Sequence, residues 1–145
     1  MREDPTQIRA TGGCLCGAVR YEVRGPLRPV VYCHCTQCRR TSGHFSAWTA
    51  TRPPDALVLN ESKGLRWYRS SSMARRGFCG DCGSSLFWEP TSGHRVSIAA
   101  GTLDSPTGLD AAAHVFVGDS GDYYTVGDGL PQRTDGDHGV AIPAD

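Results

Sequence analysis

Seven cysteines fall into three short groups: Cys14 and Cys16 in CLC, Cys33, Cys35 and Cys38 in CHCTQC, and Cys79 and Cys82 in CGDC. A CxC pair on extended backbone points both thiols to one side, because alternate residues of a strand share a face. A CxxC turn brings two thiols to the separation that one tetrahedral metal requires. The simplest division is four plus three. Cys14, Cys16, Cys79 and Cys82 complete a tetrahedron of thiolates, the pattern of a structural zinc that fastens the start of the chain to a much later knuckle. Cys33, Cys35 and Cys38 supply three ligands and leave a fourth position for water or an incoming ligand, the pattern of a catalytic zinc. Two zinc ions per chain are therefore expected, ahead of a single zinc with three spare cysteines or redox chemistry. The alternative for the triple is a second structural site, completed by His34, His44 or another side chain. In an extended CHC, His34 points away from the face its neighbours share, which argues against it as a ligand to the same ion.

Thiolates donate more charge to zinc than imidazoles do. An ion held by three of them is a weaker Lewis acid than one held by three histidines, and it suits thiolate exchange better than hydroxide formation. A free thiol has a pKa of about 8.5, and coordination removes its proton at neutral pH. From the residues alone, the expected substrate is a small molecule carrying a thiol.

Composition narrows the alternatives. An odd number of cysteines cannot pair internally, and the opening MREDPTQIRA lacks the apolar run of a secretory signal. A cytoplasmic, reducing setting and metal ligation are therefore expected in place of a disulfide framework. No stretch approaches the ~20 apolar residues of a membrane span, so no membrane partner is expected. The 15 Lys+Arg balance the 15 Asp+Glu, so no net field draws the chain to nucleic acid. Only convergence of the Arg39-Arg40 and Arg75-Arg76 pairs could build a local basic patch. A non-enzymatic zinc module that binds protein or nucleic acid is thus the rival to an enzyme.

The elements that must hold these cysteines read as short strands. In AVRYEV, Val19, Tyr21 and Val23 share one face and Arg20, Glu22 and Arg24 the other, the period of a half-buried strand. Further strands are predicted over residues 29–35, 44–51, 56–60, 65–70, 85–90, 95–101 and 112–118, separated by turn-forming Gly, Ser, Asn and Thr. Residues 36–41 could form one short helical turn. Together with 18 Gly and 9 Pro, this predicts an all-β domain. From Gly118 the chain is rich in Gly and Asp and reads as an extended or mobile tail, whose Tyr123, Tyr124, Val126 and Leu130 could pin its first half to the body.

GGCLCGAVRYEV, YCHCTQCRRTSG, FCGDCGSSLFW and the later HVF and DGLP, in this order, resemble the glutathione-dependent formaldehyde-activating enzyme family, whose domain also occurs in centromere-associated proteins. The likeness divides the chain into an N-terminal extension (1–10), a zinc-binding β domain (11–131) and a polar C-terminal tail (132–145). It implies a β-tent of several coiled antiparallel sheets with two zinc ions, structural at Cys14, Cys16, Cys79 and Cys82 and catalytic at Cys33, Cys35 and Cys38. It also implies a carbon–sulfur lyase run backwards, in which glutathione adds to formaldehyde to give S-hydroxymethylglutathione.

Around that chemistry, His44 is the nearest titratable candidate to protonate the new alkoxide. Arg39 and Arg40, directly after Cys38, could clamp the carboxylates of glutathione, as could Arg75 or Arg76 near the second knuckle. Trp48 is a candidate pocket wall. His94 is expected in an exposed hairpin turn, and His114 packed or hydrogen-bonded within a strand. Another small thiol in place of glutathione is the alternative within the same fold, and a homodimer is left open.

Overall fold

The computed structural model describes residues 7–52, 56–136 and 140–143. In chain order the strands are β1 (Ala10–Gly13), β2 (Arg20–Val23), β3 (Val30–Cys33), β4 (Ser46–Thr51), β5 (Leu57–Glu61), β6 (Leu65–Arg69), β7 (Ala74–Cys79), β8 (Ser85–Pro90), β9 (Val96–Ala99) and β10 (Ala111–Val115), with α1 (Thr36–Ser42) between β3 and β4. Strands β1, β2 and β5 form a small sheet in the order β1-β2-β5, and the other seven form a sheet in the order β10-β3-β4-β9-β8-β7-β6. The all-β expectation holds. One pairing departs from the antiparallel pattern: β10 runs parallel to β3, reaching it from the far end of the sequence.

The alternation in AVRYEV does what its period demands. Val19, Tyr21 and Val23 are buried while Arg20, Glu22 and Arg24 are half-buried. The apolar face packs on Leu86, Phe87 and Ile98 of the large sheet, closing the main core between the two sheets. The Tyr21 ring meets Phe87 edge-on at 5.3 Å, and the Tyr21 hydroxyl bonds Thr102 Oγ1 at 2.7 Å, so its one polar atom is paired on burial.

Two strands lie outside the sequence expectation. β1 is ATGG, too glycine-rich to carry an apolar face; its glycines are required because the Tyr21 ring lies directly against Gly12. β7 is ARRGFC, whose two arginines break the alternation. Gly77 at its centre lets the Trp67 and Phe87 rings close on bare backbone, where a Cβ would stand 3.1 Å from each. The segment after Gly118 is extended as expected, and it is fastened. His114 N–H donates to Pro131 O, Arg133 N–H to His114 O, and Phe116 N–H to Asp135 O, so the contacts run on to Asp135, past the boundary expected at Pro131. No helix of the described residues is long and apolar enough to cross a membrane.

Candidate functional site

The loop after β1 and the turn after β7 bring Cys14, Cys16, Cys79 and Cys82 together, with all four sulfurs within 4.8 Å of one another. Cys14 Sγ lies 3.7 Å from Cys16 Sγ, and Cys16 Sγ 3.8 Å from Cys79 Sγ. A tetrahedron with zinc–sulfur bonds of about 2.3 Å has sulfurs about 3.8 Å apart, whereas a disulfide needs about 2.05 Å. The donor set and its spacing therefore fit a tetrahedral metal, and all seven cysteines are free thiols. Backbone and hydroxyl groups support the sulfurs: Val19 N–H donates to Cys14 Sγ at 3.2 Å, and Ser84 Oγ lies 3.2 Å from Cys82 Sγ. That Ser84 contact is the main cause holding the Cys82 thiol down to about 5. The cluster spans the two sheets, one pair from the β1–β2 hairpin and the other from the β7–β8 hairpin.

Gly64 shows how tightly this junction closes. A Cβ there would stand 2.7 Å from the Ala18 Cβ and 2.9 Å from Cys79 Sγ, both held by backbone on either side. Gly64→Ala is expected to lower unfolding stability by about 1–3 kcal/mol, read as the shift in a denaturant midpoint at unchanged slope. A variant as stable as the parent would show that the junction has slack.

The second group is assembled locally. β3 ends on Cys33, Cys35 is the N-cap of α1, and Cys38 lies on its first turn; the three sulfurs fall within 4.8 Å. Cys35 Sγ accepts the Cys38 N–H at 3.3 Å, doing the work of a capping oxygen. Gly43, at φ 78°, ends the helix in the left-handed conformation and donates to Arg39 O at 2.8 Å. Cys38 collects the most donors. Hydrogen bonds from Cys33 and Cys35 first, then from Ser46, with the Arg76 charge nearby, hold its thiol far below the usual range. The same sharing pushes Cys33 up. Arg76 Nη2 approaches Cys38 Sγ at 3.7 Å and Gln37 Oε1 at 3.5 Å. Trp48 Nε1–H donates to Ser46 Oγ at 2.6 Å, which steadies the hydroxyl that serves Cys38.

These three cysteines line a cavity of about 550 Å³. Trp48, Arg76 and Arg95 are among its walls, so the Trp48 expectation and one member of the Arg75-Arg76 pair meet the triad here. Arg75 is engaged elsewhere, stacked 3.8 Å over Trp67 and paired with Glu89 at 2.9 Å. Arg39 is half-buried and Arg40 exposed, and neither lines this cavity. His44 does not line it either: its Nδ1 bonds the Tyr123 hydroxyl at 2.6 Å, among the rings of Phe45, Tyr123 and Tyr124. His94 is exposed and bonds Ser92.

His34 points away from its neighbouring thiols into a chain that sequence spacing does not reveal. His114 Nε2 lies 2.8 Å from Asp128 Oδ2, His114 Nδ1 lies 2.8 Å from His34 Nε2, and His34 Nδ1 lies 2.5 Å from the Tyr124 hydroxyl. Because an ionised carboxylate only accepts, neutral rings fix every proton in one direction. With both rings neutral, Tyr124 donates to His34, His34 to His114, and His114 to Asp128. Burial first, then the neighbouring His114 and His44, holds His34 below the ordinary imidazole value. The chain ties the backbone between Cys33 and Cys35 to residues 124 and 128 of the last segment.

The sequence profile described as "Glutathione-dependent formaldehyde-activating enzyme" matches residues 9–119. An uncharacterized lyase of Schizosaccharomyces pombe is 35% identical over 83 residues, 57% of this chain and 58% of that protein. A Halomonas elongata protein, named provisionally as a glutathione-dependent formaldehyde-activating enzyme, is 32% identical over 102 residues, 65% of each chain. The chain thus spans less than two thirds of the length of either relative. Among solved structures, a crystal structure of a Rhodobacter sphaeroides protein superposes with a TM-score of 0.57 at 25% identity, over 66% of this chain and 88% of that one.

Proposed function

The chain belongs to the glutathione-dependent formaldehyde-activating enzyme family, and from that premise we propose that it is a carbon–sulfur lyase-type enzyme that joins a small thiol, glutathione, to an aldehyde at the Cys33, Cys35 and Cys38 cavity. The observation that carries this reading is the asymmetry of the two cysteine groups. Four thiols close on one another at the junction of the sheets, whereas three line a cavity with room for a ligand.

Cys14, Cys16, Cys79 and Cys82 would hold one zinc, and Cys33, Cys35 and Cys38 the other. Zinc at the triad would supply a position for a fourth sulfur and favour the thiolate over the thiol. The chain's own groups do the rest. Arg76 and the Ser46 hydroxyl favour the thiolate form of Cys38, and α1 keeps Cys35 and Cys38 in register. Arg76 is buried, and among the described residues no carboxylate pairs with it, so it is also the cation best placed to meet a carboxylate of the thiol substrate. Trp48 and Val115 restrict water around the sulfur. In the reaction the sulfur lone pair forms the new C–S bond, the carbonyl π pair moves to oxygen, and the proton given up by the thiol is balanced by one taken by that oxygen. No His, Asp, Glu, Lys or Tyr of the described residues lines the cavity, so the second proton comes from solvent at the cavity mouth.

His44→Gln is therefore expected to lower kcat by less than about tenfold, where removing a true general acid would cost about 10²–10⁴. A loss in that larger range would return His44 to the mechanism. The function itself is tested by exchange NMR on glutathione and formaldehyde with the zinc-loaded protein. Faster interconversion with S-hydroxymethylglutathione, abolished by Cys35→Ser, supports it. Exchange no faster than without protein contradicts it.

A further inference from the structure

Part of the cavity lining is suited to chemistry that neither formaldehyde nor glutathione presents. Val31, Trp48 and Val115 are buried and would be apolar in any packed core. Trp88 lines the same cavity, packed on that cluster with Arg95 over its ring at 5.3 Å, whereas Met73 and Phe116 line it without that excuse. Met73 is 72% exposed and Phe116 37% exposed, and Trp88 is half-buried. Large, partly exposed apolar side chains lining one cavity mark a ligand surface more often than chance scatter does.

Phe116 adds an independent sign. Its backbone stands at φ 54° and ψ 39°, the left-handed region, and it is the one non-glycine residue with positive φ among those described. A bulky side chain holds that conformation only when its surroundings enforce it, and such residues cluster at functional sites. Here the enforcement is visible. Phe116 N–H donates to Asp135 O at 2.9 Å and Val117 N–H to Arg133 O at 3.0 Å. Gly136 packs beside the ring, where a Cβ would stand 3.5 Å from Phe116 Cζ, an ordinary contact distance. The last segment thus fixes an aromatic ring in the cavity lining at a cost in backbone strain.

Formaldehyde has no side chain to set against such a wall, and the glutathione skeleton is mostly amide and carboxylate. Resting on the function proposed above, we infer that the carbonyl partner is an aldehyde bearing a hydrocarbon or aryl substituent, which lies against Trp88, Met73 and Phe116 while its carbonyl carbon reaches the thiol sulfur. The bond changes are unaltered: R–SH and R′–CHO give R–S–CH(OH)R′, with one C–S bond formed, one C=O π bond opened, and the thiol hydrogen balanced by the new hydroxyl.

S-methyl-, S-hexyl- and S-benzylglutathione carry a substituent on the same sulfur and cannot react. Each is titrated into the zinc-loaded full chain by tryptophan fluorescence, then displaced with glutathione. The hexyl and benzyl compounds are expected to bind at least about tenfold tighter than the methyl compound, which is about 1.4 kcal/mol. Phe116→Gly accepts the left-handed backbone without strain and so preserves the fold. It should shrink that ratio by roughly threefold or more while changing S-methyl affinity by no more than roughly twofold. Equal affinities across the series with normal displacement by glutathione, or a ratio indifferent to Phe116→Gly, overturn the inference alone. Failure of glutathione to displace the S-methyl compound overturns the glutathione reading and the inference with it.

Discussion

Cys82→Ser is expected to leave the chain unfolded at room temperature, with the β-sheet circular dichroism lost and no cooperative thermal transition. The four-cysteine cluster is where the β1–β2 hairpin meets the β7–β8 hairpin, so whatever binds there holds the two sheets together. Apparent zinc affinity at structural thiolate sites is about 10–16 kcal/mol, against about 5–15 kcal/mol for the whole stability of an ordinary domain. A serine hydroxyl is a poor replacement for a thiolate, and it also loses the sulfur that Ser84 supports. A strong chelator should act in the same way on the parent protein, unfolding it at denaturant concentrations that the zinc-loaded form withstands. A Cys82→Ser protein that still melts cooperatively within a few degrees of the parent would show that the cluster is not what fastens the sheets.

Cys35→Ser should behave in the opposite way: zinc content falls from two ions to one, turnover is lost, and the fold survives. Cys35 has a second task as the N-cap of α1, where its sulfur accepts the Cys38 N–H. Serine is among the best N-cap residues, so the substitution removes a metal ligand and leaves the helix start intact. The loss in kcat/KM is expected on the order of a thousandfold, about 4 kcal/mol of transition-state stabilisation. If Cys35→Ser and Cys82→Ser melt alike, the two cysteine groups do not have separate roles. The pair of variants therefore tests the division itself and not merely the need for metal.

What was legible in the sequence was what repeats at short range. Metal ligands announce themselves by spacing, and both thiol groups assemble as CLC, CHCTQC and CGDC predict. The strand with a two-residue period, AVRYEV, and the strand-like run SLFWEP are where expected. β1 and β7 were hidden because their faces are made by glycine and arginine packing against rings from other strands, which no local period records. The partners of the triad were hidden for the same reason. Ser46 and Arg76 reach Cys38 only through the order of strands in the large sheet, whereas Arg39 and Arg40, adjacent in sequence, lie on α1 away from the cavity. The chain from Tyr124 through His34 and His114 to Asp128 is legible only in three dimensions, since it joins residues 80 and 90 positions apart. A Gly- and Asp-rich composition reads as a loose tail, but Tyr123, Tyr124 and Asp128 meet His44, His34 and His114, and backbone bonds to residues 131–135 complete its docking.

The most direct test counts sulfur around zinc by X-ray absorption, in the two-zinc protein before and after glutathione is added. Seven cysteine thiolates shared between two ions give an average of about 3.5 sulfur neighbours per zinc, and a thiol substrate bound at the triad raises it to about 4. A sulfur count that stays at its starting value while glutathione is present in saturating amount would contradict the account.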